Sequence, residues 1–385
     1  MSEPRGTLPH LLIHHCERGL PSAETRIPPV DRVTSADESN ARRVVDAYRK
    51  AVRDERAVSQ RPSLDVWEAV RNAFHGEFIR LMHNGDPYEL ASALNQCFRL
   101  PITHGLGPGR AVYEASLTPE GNKGIAALTV DKLAAVAEFL GILPFENPEQ
   151  GRWGENIYLD PLLVVERIEK EIGFPVCPPN TCGSFGVSIR DRVLFPRNCE
   201  HLYVACRIRQ LISSGTTVAE IGGGYGGVAY YCWLSGIRRY RIYDLPLINA
   251  IQGYYLLSTL SDARICLYGE LPTEPAVCVL PYWEFEKQTR SSFGFVLNQD
   301  SLPEIDPSIA KAYLRHIAAE NNCYFLSINQ EGGAPSGRPD LPQSLVPELI
   351  RDVGKLIRLS RHPYWLRKGY VEELYRSAAE QVRSD

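Results

Sequence analysis

No apolar stretch in this 385-residue chain approaches the ~20 consecutive residues that cross a bilayer, and the opening MSEPRGTLPHLLIHHCERG lacks the long apolar core of a secretory leader. A membrane-spanning or secreted protein is therefore not expected. Charge imbalance is slight: a formal net charge of −4 provides no basic stripe for nucleic acid or an anionic membrane. The ten cysteines follow no framework. Cys177 and Cys182 have four residues between them and neither a second pair nor histidines to complete a zinc site. Cys232, Cys266, Cys278 and Cys323 fall inside apolar segments as small buried hydrophobes, which fits a reduced cytoplasm. What remains is an ordinary globular composition, 44% apolar and 23% charged, at a length that accommodates two domains.

The most informative stretch is TVAEIGGGYGGVAYYCWLSGIRRYRIYDLP, Thr217 to Pro246. Val218, Ala219 and Ile221 form a short apolar run of the kind buried on both faces of a sheet, followed by glycines and then a helix-like segment, Gly227 to Leu234. A second strand, Tyr240 to Tyr243, ends in Asp244. This is half of a nucleotide-binding α/β unit, with the acid about 20 residues past the first glycine, where a carboxylate takes ribose hydroxyls.

Two cofactors suit the turn. Gly222, Gly224 and Gly227 satisfy the dinucleotide pattern GxGxxG, whereas Glu220, Gly222, Gly224 and Gly226 satisfy the ExGxGxG pattern of S-adenosylmethionine (SAM) enzymes. Glu220 discriminates, because an acid at the strand end suits a cationic amino acid moiety and sits badly beside a pyrophosphate. The cofactor set is thus Glu220, Gly222, Gly223, Gly224, Tyr225, Gly226, Asp244 and Leu245, joined by Asn298 and Gln299 of a later strand.

Around this stretch, residues 1 to 38 read as a flexible arm and residues 39 to 195 as a helical cap or dimerisation domain, with helices over 38–56, 64–82, 87–98, 129–140 and 161–172. His75, His83 and His104 fall here; each could serve as a catalytic base, although histidines at such positions are more often packing or surface residues. Pro175 to Arg197 reads as a linker or boundary. Residues 196 to 385 alternate strands and helices, predicting a Rossmann-like, doubly wound parallel sheet whose ligands lie beyond the carboxyl ends of its strands. Residues 263–268 and 276–280 compete for the third core strand, with Glu270 or Tyr282–Trp283 correspondingly near an adenine. Phe293 to Asn298 and Cys323 to Ile328 supply the fourth and fifth strands. Lys355–Leu359 and Tyr370–Arg376 form a C-terminal antiparallel hairpin, which separates the sheet from an all-parallel dinucleotide sheet.

In EIGGGYGGVAYY, IYDLP, GYYLL, LNQDSLPEI, YFLSINQE and SRHPYWLRKGYVEELYR, the chain resembles class I SAM-dependent methyltransferases, and within them the sugar O-methyltransferase family. The likeness runs over roughly residues 200 to 376, and LGILPFENPE before it is similar as well. It implies a SAM-binding domain behind a helical cap, leaving S-adenosyl-L-homocysteine as product and acting on a hydroxyl of a sugar or glycosylated natural product; the size of the helical half separately suits a homodimer or a cap over the site, and the scattered cysteines suit the cytoplasm.

Transfer to a hydroxyl requires alignment and a base. Asp300, following the fourth strand, is the first candidate; Glu331, Glu304 and His201 follow. Asp300, Glu304 and Glu331 are also the right oxygen ligands for a divalent metal, a minor variant. His362, Tyr364 and Trp365 suit either packing or stacking on an acceptor. The other readings are an N- or C-methyltransferase of a small secondary metabolite, an NAD(P)-dependent oxidoreductase built on the same glycine turn, and a binding module without turnover.

Overall fold

The structure, a computed structural model, describes residues 11–58, 66–106, 109–151, 153–271, 274–289, 291–332 and 343–378. In chain order, β1 (Thr25–Arg26), α1 (Ser35–Glu55), α2 (Val66–Phe74), α3 (Gly76–Asn84), α4 (Pro87–Leu94), α5 (Arg110–Ser116), α6 (Pro119–Phe139) and α7 (Pro161–Ile172) come first. Then follow β2 (Gly186–Ile189), β3 (Arg192–Leu194), α8 (Asn198–Leu211), β4 (Val218–Ile221), α9 (Gly227–Leu234), β5 (Arg239–Asp244), α10 (Pro246–Thr259), β6 (Ile265–Leu267) and β7 (Ala276–Pro281). The remainder is β8 (Phe295–Gln299), α11 (Pro307–Ala319), β9 (Tyr324–Gln330), α12 (Val346–Val353), β10 (Leu356–Pro363) and β11 (Tyr370–Ser377).

The chain divides into two compact units. The first comprises residues 1–34, 91–207 and 365–368; the second comprises 35–90, 208–364 and 369–385. The helices expected over 38–56 and 64–82 therefore group with the sheet and not with the rest of the N-terminal half. The start signal read at Arg61–Ser63 lies outside the described residues, as do the ends of the chain before residue 11 and after residue 378.

In the first unit, α6 starts at Thr118, whose hydroxyl accepts from the Gly121 N–H, and Pro119 follows where its missing N–H costs nothing. It buries Ile125, Leu133 and Val136. Part of the expected arm is packed here: Leu12 is buried, and β1 pairs with β2, which pairs with β3. That hairpin occupies the stretch read as a linker, and it turns at Arg190 with φ 54°. His14 anchors the segment, its Nδ1 lying 2.8 Å from Asp131 and its Nε2 3.0 Å from Glu138. Burial would lower its pKa, but the two carboxylates carry it up to about 9, so the ring is an imidazolium. Trp365 packs with Phe139, Phe145 and Tyr203, settling it as a packing residue.

The second unit is built on an eight-stranded sheet of order β10-β11-β9-β8-β4-β5-β7-β6. β4 to β9 run parallel, while β11 runs antiparallel to both its neighbours. This is the Rossmann-like doubly wound sheet with the expected hairpin, β11 lying inside β10. β7 beside β5 is the third core strand and β6 lies beyond it; both candidates are strands. Tyr282 and Trp283 follow β7, whereas Glu270 is held by Arg43 at 2.8 and 2.9 Å. Strand order advances one way from β4 through β5 to β7 and the other way through β8 to β9, so right-handed crossovers put α10 on one face and α11 on the other. α11 and α12 cover the face carrying Ala219, Ile221, Val296, Phe325 and Tyr375. The reversal between β4 and β8 leaves a crevice at their carboxyl ends.

Candidate functional site

β4 is buried throughout and delivers the chain into a turn where Gly222, Gly224 and Gly226 have φ of 73°, 55° and 93°. Two glycines matter for different reasons. A Cβ on Gly222 would come within 2.1 Å of the Ser301 hydroxyl oxygen, so glycine there lets the end of β8 close against the turn. Gly224 has open space where a Cβ would stand, leaving left-handed backbone bare to a ligand. Gly226 then caps α9 without a side chain, so the first N–H groups of that helix have no side-chain acceptor at the cap.

By alternation and register, Glu220, Asp244, Gln299 and Tyr370 share one face of the sheet. Glu220 is 2% exposed and lies under the turn: a Cβ on Gly223 would approach its Oε2 to 3.1 Å. The Tyr240 hydroxyl donates to that oxygen at 2.9 Å. Burial pushes its carboxyl up to about 8, with Asp244 adding and the phenol opposing. Asp244, half-buried, accepts from the Leu245 N–H at 2.8 Å and from Gln252 Nε2 at 2.7 Å. Desolvation takes it up to about 7 against those bonds. Gln252 also donates to the Gly224 carbonyl at 3.0 Å, tying acid to turn. Tyr225 is buried, its ring edge-on to Tyr255.

The end of β8 divides its residues by task. Asn298, fully buried, donates to the Ile221 carbonyl at 2.9 Å and to Ser301. Its Oδ1 accepts from the Leu302 N–H and from Asn329 Nδ2. These bonds pin β8 to β4 and β9, so this residue, expected to touch cofactor or acceptor, is spent on the scaffold. Gln299 is buried on the Glu220 face. Asp300 has φ 64°, a left-handed conformation uncommon for a residue with a side chain. Its N–H donates to the Ile328 carbonyl, and the Tyr370 hydroxyl donates to its Oδ1 at 2.6 Å.

The other candidate bases lie elsewhere. Glu331 is bound by the Arg361 guanidinium at 2.8 and 2.9 Å, and Arg361 also binds Glu373 at 2.9 Å. Arg361 and Glu373 are register partners on the face of Phe325 and Tyr375, opposite to Tyr370. Hydrogen bonding from Arg361 holds the Glu331 carboxyl below its usual range. Glu304 receives Gln343 Nε2 at 3.4 Å. His201 belongs to the first unit; burial, and then Arg197, lower its pKa to about 3. Tyr364 is buried, and His362 Nε2 stands 3.7 Å from the fully buried Glu372. Among the described residues, no three His, Cys, Asp or Glu side chains gather as a metal site, so Asp300, Glu304 and Glu331 do not converge. None of the helices is long and apolar enough to cross a membrane, among the same residues. A cleft of about 420 Å³ opens beyond β7, lined by Tyr282, Trp283, Glu286, Ile309 and, from the end of α1, Asp54 and Val58.

No family model and no curated protein matches the chain. Solved structures do. The chain is similar to the [4+2]-cyclase SpnF, at 10% identity over 48% of this chain and 83% of that one, with a TM-score of 0.36. It is similar to 1,6-didemethyltoxoflavin-N1-methyltransferase of Burkholderia thailandensis, solved with 1,6-didemethyltoxoflavin and S-adenosylhomocysteine, at 17% identity over 46% and 78%, TM-score 0.34. N-methyltransferase NodS of Bradyrhizobium japonicum, in complex with S-adenosyl-L-homocysteine, gives 9% identity over 47% and 88%, TM-score 0.34. Likeness of this degree carries no assignment of function, which has to come from the residues themselves.

Three contributors escaped the sequence reading. Tyr240 and Gln252 lay inside segments recognised only as strand and helix, although each sits at a fixed offset from an acid it serves. Tyr370 is 70 residues from Asp300, and only the hairpin register brings it there.

Proposed function

We propose that this chain binds SAM and transfers its methyl group to a hydroxyl of a small polar acceptor, a sugar or glycosylated natural product, with Asp300 as general base. The observation that carries the donor half is the pair of carboxylates, Glu220 and Asp244, around an open glycine turn. Their described partners are a phenol, an amide and backbone N–H groups, none of them cationic. Burying acids without a cation is unfavourable, and a positively charged ligand in the crevice would relieve it.

The residues present fit that donor. Gly224 leaves room for a ligand against bare backbone, and Asp244 ends β5 where ribose hydroxyls can donate to it. Glu220 acts from beneath the turn through its field and not by direct contact. When bound, SAM supplies a methyl carbon made electrophilic by its sulfonium. Asp300 stands across the crevice at the end of β8 and takes the proton of the attacking hydroxyl. Glu331 is engaged by Arg361 on the opposite face, and His201 is buried and neutral, which leaves Asp300 ahead of both. The acceptor class comes from the sequence resemblance.

Calorimetry with SAM, S-adenosyl-L-homocysteine and NAD tests the donor: the first two should bind, whereas binding of NAD alone would move the chain to the oxidoreductases. Release of S-adenosyl-L-homocysteine over a panel of monosaccharides, glycosides, phenols and amines then tests the acceptor. Asp300→Asn should lower turnover on the best of these by ~100-fold or more with SAM affinity kept.

A further inference from the structure

The role given to Asp300 leaves open what holds its carboxylate in place, and the structure supplies an answer from a distant strand. Asp300 leaves β8 with φ 64°, and its N–H donates to the Ile328 carbonyl of β9 at 3.0 Å. The backbone is thereby fixed, but a short side chain still has to choose a rotamer. Tyr370 acts on that choice, its hydroxyl donating to Asp300 Oδ1 at 2.6 Å.

Tyr370 is well placed to be rigid. It opens β11, opposite Gln330 of β9, and its carbonyl accepts from the Tyr364 N–H at 2.8 Å, closing the β10–β11 connection. β11 is paired on both sides, so its position is set by two ladders and not by an edge. The ring shares the face of Glu220 and Asp244.

We propose that Tyr370 is a positioning residue for the transfer reaction: it orients the Asp300 carboxylate toward the crevice without touching donor or acceptor. This rests on Asp300 being the base. That hydrogen bond keeps the carboxylate from turning away from the attacking hydroxyl, so losing it lowers turnover and separates kcat from KM. A residue that only packs would do neither.

The test compares wild type, Tyr370→Phe and Asp300→Asn, with melting curves and SAM calorimetry to show that each variant is folded and binds donor. Removing one hydroxyl keeps the ring, so Tyr370→Phe should melt close to wild type. In wild type, proton NMR should show a downfield tyrosine hydroxyl that disappears in both variants. Turnover of Tyr370→Phe on the best panel acceptor should fall ~10-fold, with its KM for SAM and for the acceptor unchanged. If Asp300→Asn is crippled while Tyr370→Phe keeps its rate, the positioning role is overturned and the base stands. If Asp300→Asn turns over normally, the base assignment falls and the role of Tyr370 falls with it.

Discussion

Glu200 in the first unit and Glu220 in the second are buried alike, at 0% and 2% exposure, yet they live in opposite electrostatic states. Glu200 is bound by Lys132 and by Arg197, the latter at 2.7 Å. Burial pushes its carboxyl up, but Arg197, Lys132 and Arg367 outweigh that and hold it at about 2. Glu220 has a phenol for company and sits at about 8. Burial therefore does not decide the charge of an acid; what is built around it does. A glutamate enclosed with cations is a structural tie; one enclosed without them beside an open turn is, on the function proposed above, matched to a cation that arrives with a ligand.

The pH responses run in opposite directions. Glu200, with its folded pKa lowered, contributes stability above the ordinary carboxylate range that is lost as pH falls through about 2. Glu220, with its folded pKa raised, contributes stability at low pH that is lost as pH rises through about 8.

The contrast can be broken most severely at Lys132. Lys132→Met strips Glu200 of one of its cations and should cost about 3 kcal/mol or more, read as a lower denaturant midpoint; a loss under ~1 kcal/mol would mean that Arg197 and Arg367 suffice. Glu220→Gln sharpens it from the other side. Glu220 is largely protonated near neutrality in the folded chain but ionised in the unfolded one, so removing the acid should raise stability at pH 7 by about 2 kcal/mol or more, while SAM affinity falls ~10-fold. Wild-type protein should release a proton on binding SAM, and its affinity should rise between about pH 7 and 8, a slope that should be shallower in the variant, where Asp244 alone titrates in that range; calorimetry in buffers of different ionisation enthalpy reads both. Glu331→Gln should have the smallest effect. Its pair with Arg361 is exposed to solvent, worth under about 1 kcal/mol, and turnover should stay within about threefold; a ~100-fold drop would transfer the role of base to it.

The sheet was legible in the sequence where burial is complete. β4 and α9 start and stop where their apolar runs do, and Asp244 ends β5 as spacing foretold. Elements that depend on partners were not legible. The β2–β3 hairpin has two short apolar alternations around Arg190–Asp191, but its turn has neither glycine nor asparagine, and the preceding CPPNTCG masks the pattern. His14 reads as one of several N-terminal histidines until Asp131 and Glu138 close on it from more than a hundred residues away. Of the site, the acids and the open glycine were visible, because residue type and offset suffice. That Asn298 would be consumed by Ile221, Ser301 and Asn329, and that Asp300 would meet Tyr370 while Glu331 meets Arg361, follows from which strands lie side by side, which no local pattern encodes.

The hairpin inverts the order in which its strands are needed. β11 follows β10 in the chain but lies between it and β9, so a polypeptide emerging from the ribosome exposes the unpaired edge of β9 until residues 370–377 are available. The strand that seals this edge also brings the Tyr370 hydroxyl, so the proposed base gains its orienting partner only when the sheet is closed.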